Sequence, residues 1–313
     1  MKGTLALFLA CAIAALSSCT GNSVQDNGTK ITLGAMSSLD YLPFAVACDK
    51  GIYDSLGVNV EITKFFSAND RDAALQAGSI DGTVIDLTGA VMQQAGGVDL
   101  KIIMKNNGSF SLVATDESGI KTPADLAGKK TAVSRNTVIE YSTDLMAASA
   151  GVSPDDIDKV EINKIPLRLE MLRAKKIDAC ILPEPFVSMA AGDGCMEVEN
   201  TENLGISVTA TVITGKALKE KAEELRLLVK GYSLAVEYMR THPADEWSDI
   251  IVKGAGVPQE LLHKVALPAY ETAKLPAEKD IASTIKWLKS KSLIPEKYDT
   301  ATLCDSSFTT AGK

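Results

Sequence analysis

The amino-acid sequence predicts an α/β protein of two lobes, each built on a parallel sheet, with two chain crossings between them and a helical C-terminal region. Three observations carry this. Short apolar, β-branched runs alternate with helical patterns, as in sheets whose crossovers are helices. The alternation starts afresh near Thr131. Residues 71–92 also line up without gaps on residues 168–189, where Arg71/Arg168, Leu75/Leu172, Ala77/Ala174, Ile80/Ile177, Asp81/Asp178 and Met92/Met189 coincide. The offset of 97 residues is too long for a solenoid unit and suits two similar lobes. Binary patterning makes any two helix–strand units somewhat alike, so chance similarity stays open as the alternative.

Taken in order, Ile31–Met36 reads as a strand. Pro43–Asp54 reads as a helix, since Pro43 suits a first turn. Val58–Phe65 is a second strand, and Asp70–Ala77 a helix with Ser67 or Asn69 as its cap. Gly82–Asp86 is a buried strand with a helix from about Thr88. Leu100–Met104 and Ser111–Thr115 continue this first sheet. In the second half, Thr131–Ser134, Lys159–Asn163 and Ala179–Leu182 read as strands. The helices there are Thr137–Ala150, ended by Gly151, then Pro166–Lys175 and one from near Pro185. Ser207–Thr214 is a further strand. An amphipathic helix over Lys216–Thr241 follows, then helices near 244–252, 258–265 and 278–290. No third sheet is visible, so the last helices are expected to dress the first lobe. The lobes are then 31–115 plus 212–313 and 116–211, with crossings near Thr115–Thr122 and Ser207–Thr214.

The first residues read as an address rather than structure. Lys2 gives a positive start, and Leu5–Leu16 is an apolar run too short for the ~20 residues of a spanning helix. Leu16-Ser17-Ser18-Cys19 resembles a bacterial lipobox. The expectation is a signal peptide over 1–18, a lipid anchor on Cys19 and a flexible polar tether over 19–30. The body is an ordinary globular composition, with no later run of 18 apolar residues. A net charge of −8 without a basic block argues against nucleic acid. Two histidines and cysteines without metal spacing argue against a metal site or a histidine-dependent nucleophile. No cofactor is expected. Cys48 and Cys180 read as buried, while Cys195 and Cys304 are open to pairing in an oxidising compartment.

Ligands of open parallel sheets bind beyond the carboxyl ends of the strands, where helix N-termini offer free N–H groups. Five loops hold that position, and they supply the candidate ligand-binding residues. They are Ser37, Ser38, Leu39 and Tyr41, with Asp40 between; Ser67 and Asn69; Asp86 and Leu87; Ser134, Asn136 and Thr137, with Tyr141 one turn on; and Glu184 and Phe186. Taken singly, Ser67, Asn69, Ser134 and Thr137 suit helix caps better than ligand contacts, Asp86 also suits a cap, and Tyr41 and Phe186 also suit a core. Glu184, fixed between Pro183 and Pro185, is the strongest single candidate. Asp40, Asp86 and Glu184 make the expected site acidic, which suits a ligand with N–H donors and a flat face beside Tyr41, Tyr141 and Phe186.

Leu42-Pro43-Phe44-Ala45-Val46-Ala47, Lys50-Gly51-Ile52-Tyr53, Gly57-Val58-Asn59-Val60-Glu61, Arg71–Gly82, Asp125–Lys130 and Leu182-Pro183-Glu184-Pro185 resemble periplasmic solute-binding proteins. The group is the sulfonate/nitrate/taurine and thiamine-pyrimidine-precursor type, and the resemblance covers nearly all of residues 30–290. It implies a type II periplasmic-binding-protein-like fold without catalysis. It also implies closure on a small-molecule ligand and delivery of it to an ABC permease; with the Cys19 anchor, a monomer held at the periplasmic side of a membrane is expected. A thiamine-pyrimidine-like or other heteroaromatic ligand stands ahead of a sulfonate or nitrate. Enzymes on the same fold and a lipoprotein sensor are the alternatives. The pyrimidine-synthase type would need a cysteine-rich motif and a histidine that this chain does not show.

Overall fold

The structure, a computed structural model, describes residues 29–255 and 257–309. The expected signal peptide, Cys19 and most of the tether lie outside the described residues. The chain opens with strand β1 (Ile31–Met36), helices α1 (Leu42–Asp49) and α2 (Ile52–Leu56), β2 (Val60–Phe65), α3 (Ala68–Gln76), β3 (Gly82–Asp86), α4 (Leu87–Ala95) and β4 (Leu100–Asn106). It continues through β5 (Phe110–Thr115), β6 (Lys130–Val133), α5 (Val138–Ser149), β7 (Asp158–Glu161), α6 (Ile165–Arg173), β8 (Ala179–Pro183), α7 (Phe186–Gly192) and β9 (Cys195–Asn200). It ends with β10 (Thr209–Thr214), α8 (Gly215–Glu220), α9 (Ala222–Thr241), α10 (Asp249–Ala255) and α11 (Glu278–Ser290).

Two five-stranded sheets result, in the orders β2-β1-β3-β10-β4 and β7-β6-β8-β5-β9. In each, the first three strands are parallel and the fourth is antiparallel to both neighbours. The sheets are therefore mixed rather than wholly parallel. The fourth strand in each is the one that arrives from the other lobe, so crossing the gap reverses its direction. This topology corrects both lobe boundaries. Thr209–Thr214 pairs with β3 and β4 in the first sheet, so the second crossing falls at 201–208 and the second lobe does not extend to 211. Ser111–Thr115 belongs to the second sheet, where β5 pairs with β8 and β9, so the first crossing falls at 107–109 and not near 115–122. Both candidate sheets accept a short apolar strand, and periodicity cannot say which one it joins. Strand β9 was not expected, because Cys-Met-Glu-Val-Glu-Asn carries two acids and occupies a half-exposed edge.

Two long helices are broken where the sequence reads as continuous. Gly51, at φ +65°, separates α1 from α2 in a left-handed turn that a side chain would strain. Lys221 separates α8 from α9, and its ammonium reaches back to the Asp81 carboxylate at 2.8 Å and the Lys30 carbonyl at 2.7 Å. Residues 244–246 and 259–264 form short 3₁₀ turns.

The apolar faces explain the packing. Leu225, Leu228, Val229, Tyr232, Ala235 and Val236 of α9 recur at helical spacing and bury against Phe44 and Val46 of α1 and Tyr53 of α2. Leu288 of α11 joins Leu87 and Ala90 of α4 in a second cluster on the other face of the first sheet. The second sheet has its own two clusters, one under α5 and one between α6, α7 and β8. Among the described residues no helix is long and apolar enough to cross a membrane. Cys48, Cys180, Cys195 and Cys304 are free thiols, with Cys195 on the second sheet's edge strand and Cys304 bridged to Ile102 of the first sheet.

Candidate functional site

The strand ends of the two sheets face each other across a cavity of about 40 Å³. Both lobes line it with matching elements. Ser38, Asp40, Arg71 and Asp86 come from the first, and Ser134, Thr137, Asn163 and Arg168 from the second. Phe110 and Thr209, at the starts of the two crossing strands, lie between them. An adjoining cavity of about 150 Å³ shares Ser38, Asp40, Phe110 and Pro183 and adds Leu39, Glu184 and Glu197.

Local sequence fixes each group. Asp86 ends β3 in extended backbone, so its carboxylate caps α4, accepting from the Gly89 N–H at 3.1 Å and the Thr88 hydroxyl at 3.2 Å. A side chain at residue 89 would come within 2.8 Å of that carboxylate and 3.0 Å of Arg71. Thr137 caps α5 through the Ile139 N–H, and its hydroxyl donates to the Ser134 carbonyl at 2.8 Å. Ser134 donates to Asn163 at 3.0 Å. Asp40 is buried beside the Ser38 hydroxyl, which donates to it at 2.5 Å. Desolvation raises its pKa to about 6, against the lowering effects of Ser38 and Arg71.

Two buried arginines dominate the electrostatics. Arg71 is 2% exposed and lies 2.8 Å from Asp72 and 3.6 Å from Asp86. Burial pulls its pKa down, but Asp86 and Asp72 more than offset this and raise it. Arg168 is 1% exposed, and its Nη1 donates to the carbonyls of Ile162 at 3.0 Å and Asn163 at 3.4 Å. Its Nε and Nη2 have no hydrogen-bond partner among the described residues, and no carboxylate pairs with it. Desolvation pulls it down to about 10.

The expected acidic site is thereby corrected. The lining holds Asp40 and Asp86 against Arg71 and Arg168, and Glu184 sits in the adjoining space. Both arginines were missed as cleft residues. Each stands four residues before a buried leucine, Leu75 or Leu172, which places it on the inward face of its helix. That spacing, present in both halves, was the available signal.

Of the expected site residues, Ser38, Asp86, Ser134 and Thr137 line the cavity, and Leu39 and Glu184 the adjoining one. Glu184, joined to Pro185 by a cis peptide, turns toward its own helix, accepting from the Ser188 N–H at 3.2 Å and hydroxyl at 2.8 Å. Burial raises its pKa despite those bonds. The other expected residues line neither space. Ser67 caps α3 through the Asp70 N–H, Ser37 is buried with its N–H donating to the Phe65 carbonyl, and Asn69 and Asn136 are exposed. Leu87 and Phe186 are core. Tyr41 is core beside Lys64 on the outer side of the first lobe. Tyr141 points to α11, where its hydroxyl meets Ser283 at 2.8 Å and its ring meets Trp287 edge-on. Among the described residues no cluster of histidine, cysteine and acids could hold a metal.

Two sheets of one order, joined by two crossing strands around a cavity at their facing ends, define a two-lobed, periplasmic-binding-protein-like fold. The chain belongs to the NMT1/THI5-like family, whose model matches residues 38–246. It is 22% identical over 263 residues to a Brachyspira hyodysenteriae protein provisionally named as an ABC transporter periplasmic binding protein, covering 78% of this chain and 75% of that one. Among solved structures, the Xanthomonas axonopodis alkanesulfonate-binding protein SsuA, bound to MOPS, superposes with a TM-score of 0.71 at 18% identity, over 85% of this chain and 94% of the other. The Synechocystis nitrate-binding protein NrtA superposes with a TM-score of 0.73 at 14% identity, over 87% and 84%.

Proposed function

We propose that the chain is the substrate-binding component of an ABC importer, holding one small polar molecule between its lobes and presenting it to a membrane permease. The observation that carries this is the cavity itself. It is lined by corresponding elements of both lobes, and at about 40 Å³ it holds only a few waters. A nutrient enters if the lobes part, and closing them buries it against helix N-termini and the two arginines. The names of the relatives support the same reading. Residues 1–18 then direct export, Cys19 carries lipid, and residues 19–30 tether the lobes outside the cytoplasm. The ligand class spans sulfonates, nitrate and thiamine-pyrimidine-like heteroaromatics.

A thermal-shift panel of alkanesulfonates, nitrate, aminopyrimidines and amino acids tests the capture. One class is expected to raise the melting temperature in a concentration-dependent way. If none does, capture of these classes is refuted. Labelling with a fatty acid in cells tests the anchor, with label expected on the wild type and lost in Cys19→Ser.

A further inference from the structure

The alignment of the two halves explains why Arg168 has no counter-ion. Offset by 97 residues, Asp72 and Asp86, which neutralise Arg71, correspond to Leu169 and Pro183. Leu169 is core and Pro183 lines the cavity. The second lobe thus has the arginine without either acid. A buried guanidinium without an anion is costly, and its fork of N–H donors matches a planar or tetrahedral oxyanion. Two of its nitrogens have no partner among the described residues, and the side chain lines the cavity. Opposite it, in the first lobe, Asp40 is buried with only Ser38 donating to its carboxyl through a side chain.

Resting on the capture reading above, we propose that Arg168 is the anion receptor of the cleft and that the ligand is a small dipolar molecule. Its oxyanion (a sulfonate, carboxylate or phosphonate) seats on the second lobe at Arg168. Its ammonium or other N–H donor seats on the first lobe at Asp40. Each lobe then supplies one end of the recognition, and only a ligand satisfying both groups stabilises the closed form. Arg71 contributes less, because Asp72 and Asp86 already neutralise it.

The test measures binding to the full chain and to two variants, Arg168→Met and Pro183→Asp, at fixed ionic strength. Pro183→Asp keeps the arginine and restores the acid that the first lobe has at the corresponding position. The probes are taurine and β-alanine as dipolar ligands, methanesulfonate and acetate as anions, ethylamine as a cation and an aminopyrimidine as a neutral heteroaromatic. The wild type is expected to bind a dipolar probe more tightly than the matching anion, and ethylamine least. Both variants are expected to weaken the oxyanion probes by about 30-fold or more. If Arg168→Met does not fold, Pro183→Asp alone decides. Oxyanion binding within about threefold of wild type in a folded variant overturns the proposal and leaves capture standing. So does a wild type that binds only the aminopyrimidine. A wild type that binds none of the probes overturns the proposal together with capture of these classes.

Discussion

In the first lobe a buried arginine lies between two carboxylates, whereas in the second the corresponding arginine has a leucine and a proline at those positions. The helix, the strand and the burial are the same, yet the electrostatic state differs. Arg71 is held charged by Asp72 and Asp86, while desolvation pulls Arg168 down to about 10. The contrast shows how two lobes of one architecture can carry opposite electrostatic balances at the same helix position. The scaffold needs an inward side chain at that helix position in both lobes, but only one lobe needs its charge quenched. Truncating the arginines separates the two cases. Arg71→Met strands Asp72 and Asp86 and is expected to cost roughly 3–5 kcal/mol, whereas Arg168→Met removes an uncompensated charge and is expected to leave stability within about 1 kcal/mol of wild type, or above it. Urea unfolding of ligand-free protein measures both. Equal losses would mean that Arg168 is a structural brace for the Ile162 and Asn163 carbonyls.

The loops that lead into the first helix of each lobe differ in a similar way. The first carries the buried Asp40, while the second lines the cavity with the neutral Ser134 and Thr137. Asp40 is raised to about 6 from 3.8, chiefly by desolvation, so the folded state binds its proton more tightly than the unfolded chain. Such a group costs nothing below its unfolded pKa, where both states are protonated. It destabilises progressively as pH rises through the folded value. Relative to Asp40→Asn, the wild type is therefore expected to lose on the order of 2–3 kcal/mol between pH 4 and pH 7 and then level off. Unfolding midpoints of the pair across that range check it, and a flat difference would show that Asp40 ionises normally.

Much of this arrangement is legible in the sequence, and the misses share a cause. Ile31–Met36 and Gly82–Asp86 are found where their patterns place them, and the repeat of 71–92 at 168–189 maps onto α3–β3–α4 and α6–β8–α7. Local signals carry that far. The sheet that Ser111–Thr115 joins, and the partner of Tyr141, depend on where distant segments dock, and a local pattern holds no record of it. Tyr141 was expected at the cleft because it follows Thr137 by about one turn, yet α11 turns it to Ser283. The arginines failed differently. A charged residue in a helix reads as solvent-facing, and the opposite inference needed the leucine four residues later in both halves to outweigh that prior.

The crossings extend the contrast. Asn106 ends β4 fully buried, its amide donating to the Asp40 carbonyl at 3.3 Å and its Oδ1 accepting from Thr211 at 2.7 Å. Asn200 ends the corresponding strand β9 partly exposed, bonded to Glu197 and Asn203. Asn106→Ala leaves buried groups unpaired and is expected to cost about 2 kcal/mol, whereas Asn200→Ala is expected to cost under about 1 kcal/mol, because water replaces its partners. A reversal in denaturant midpoints would move the better-anchored crossing to the second strand pair.

Helix α11 meets the two lobes by different forces, and its ion pair toward the second sets the smallest effect. Toward the first, Leu288 is buried in the cluster that includes Leu87 and Ala90, with Ile281 and Ile285 packed beside it. Toward the second, the Trp287 ring packs against that lobe's core edge-on to Tyr141, and the remaining contacts are polar. The Trp287 indole donates to Asp144 at 3.0 Å, and Lys291 lies 3.0 Å from Glu140. Glu140 is also bound by the Asn136 N–H at 2.8 Å, and Lys159 lies 3.7 Å away, so its charge does not depend on Lys291 alone. Lys291 is 31% exposed on its side chain, and solvent screens the pair. Leu288→Ala is therefore expected to cost about 2–4 kcal/mol as a core truncation. A double-mutant cycle of Lys291→Ala with Glu140→Gln is expected to give a coupling below about 1 kcal/mol. If lobe separation accompanies ligand release, this asymmetry makes the polar face the one that parts, with α11 staying on the first lobe. A coupling above about 2 kcal/mol would instead fasten α11 to the second lobe as firmly as to the first and remove that preference.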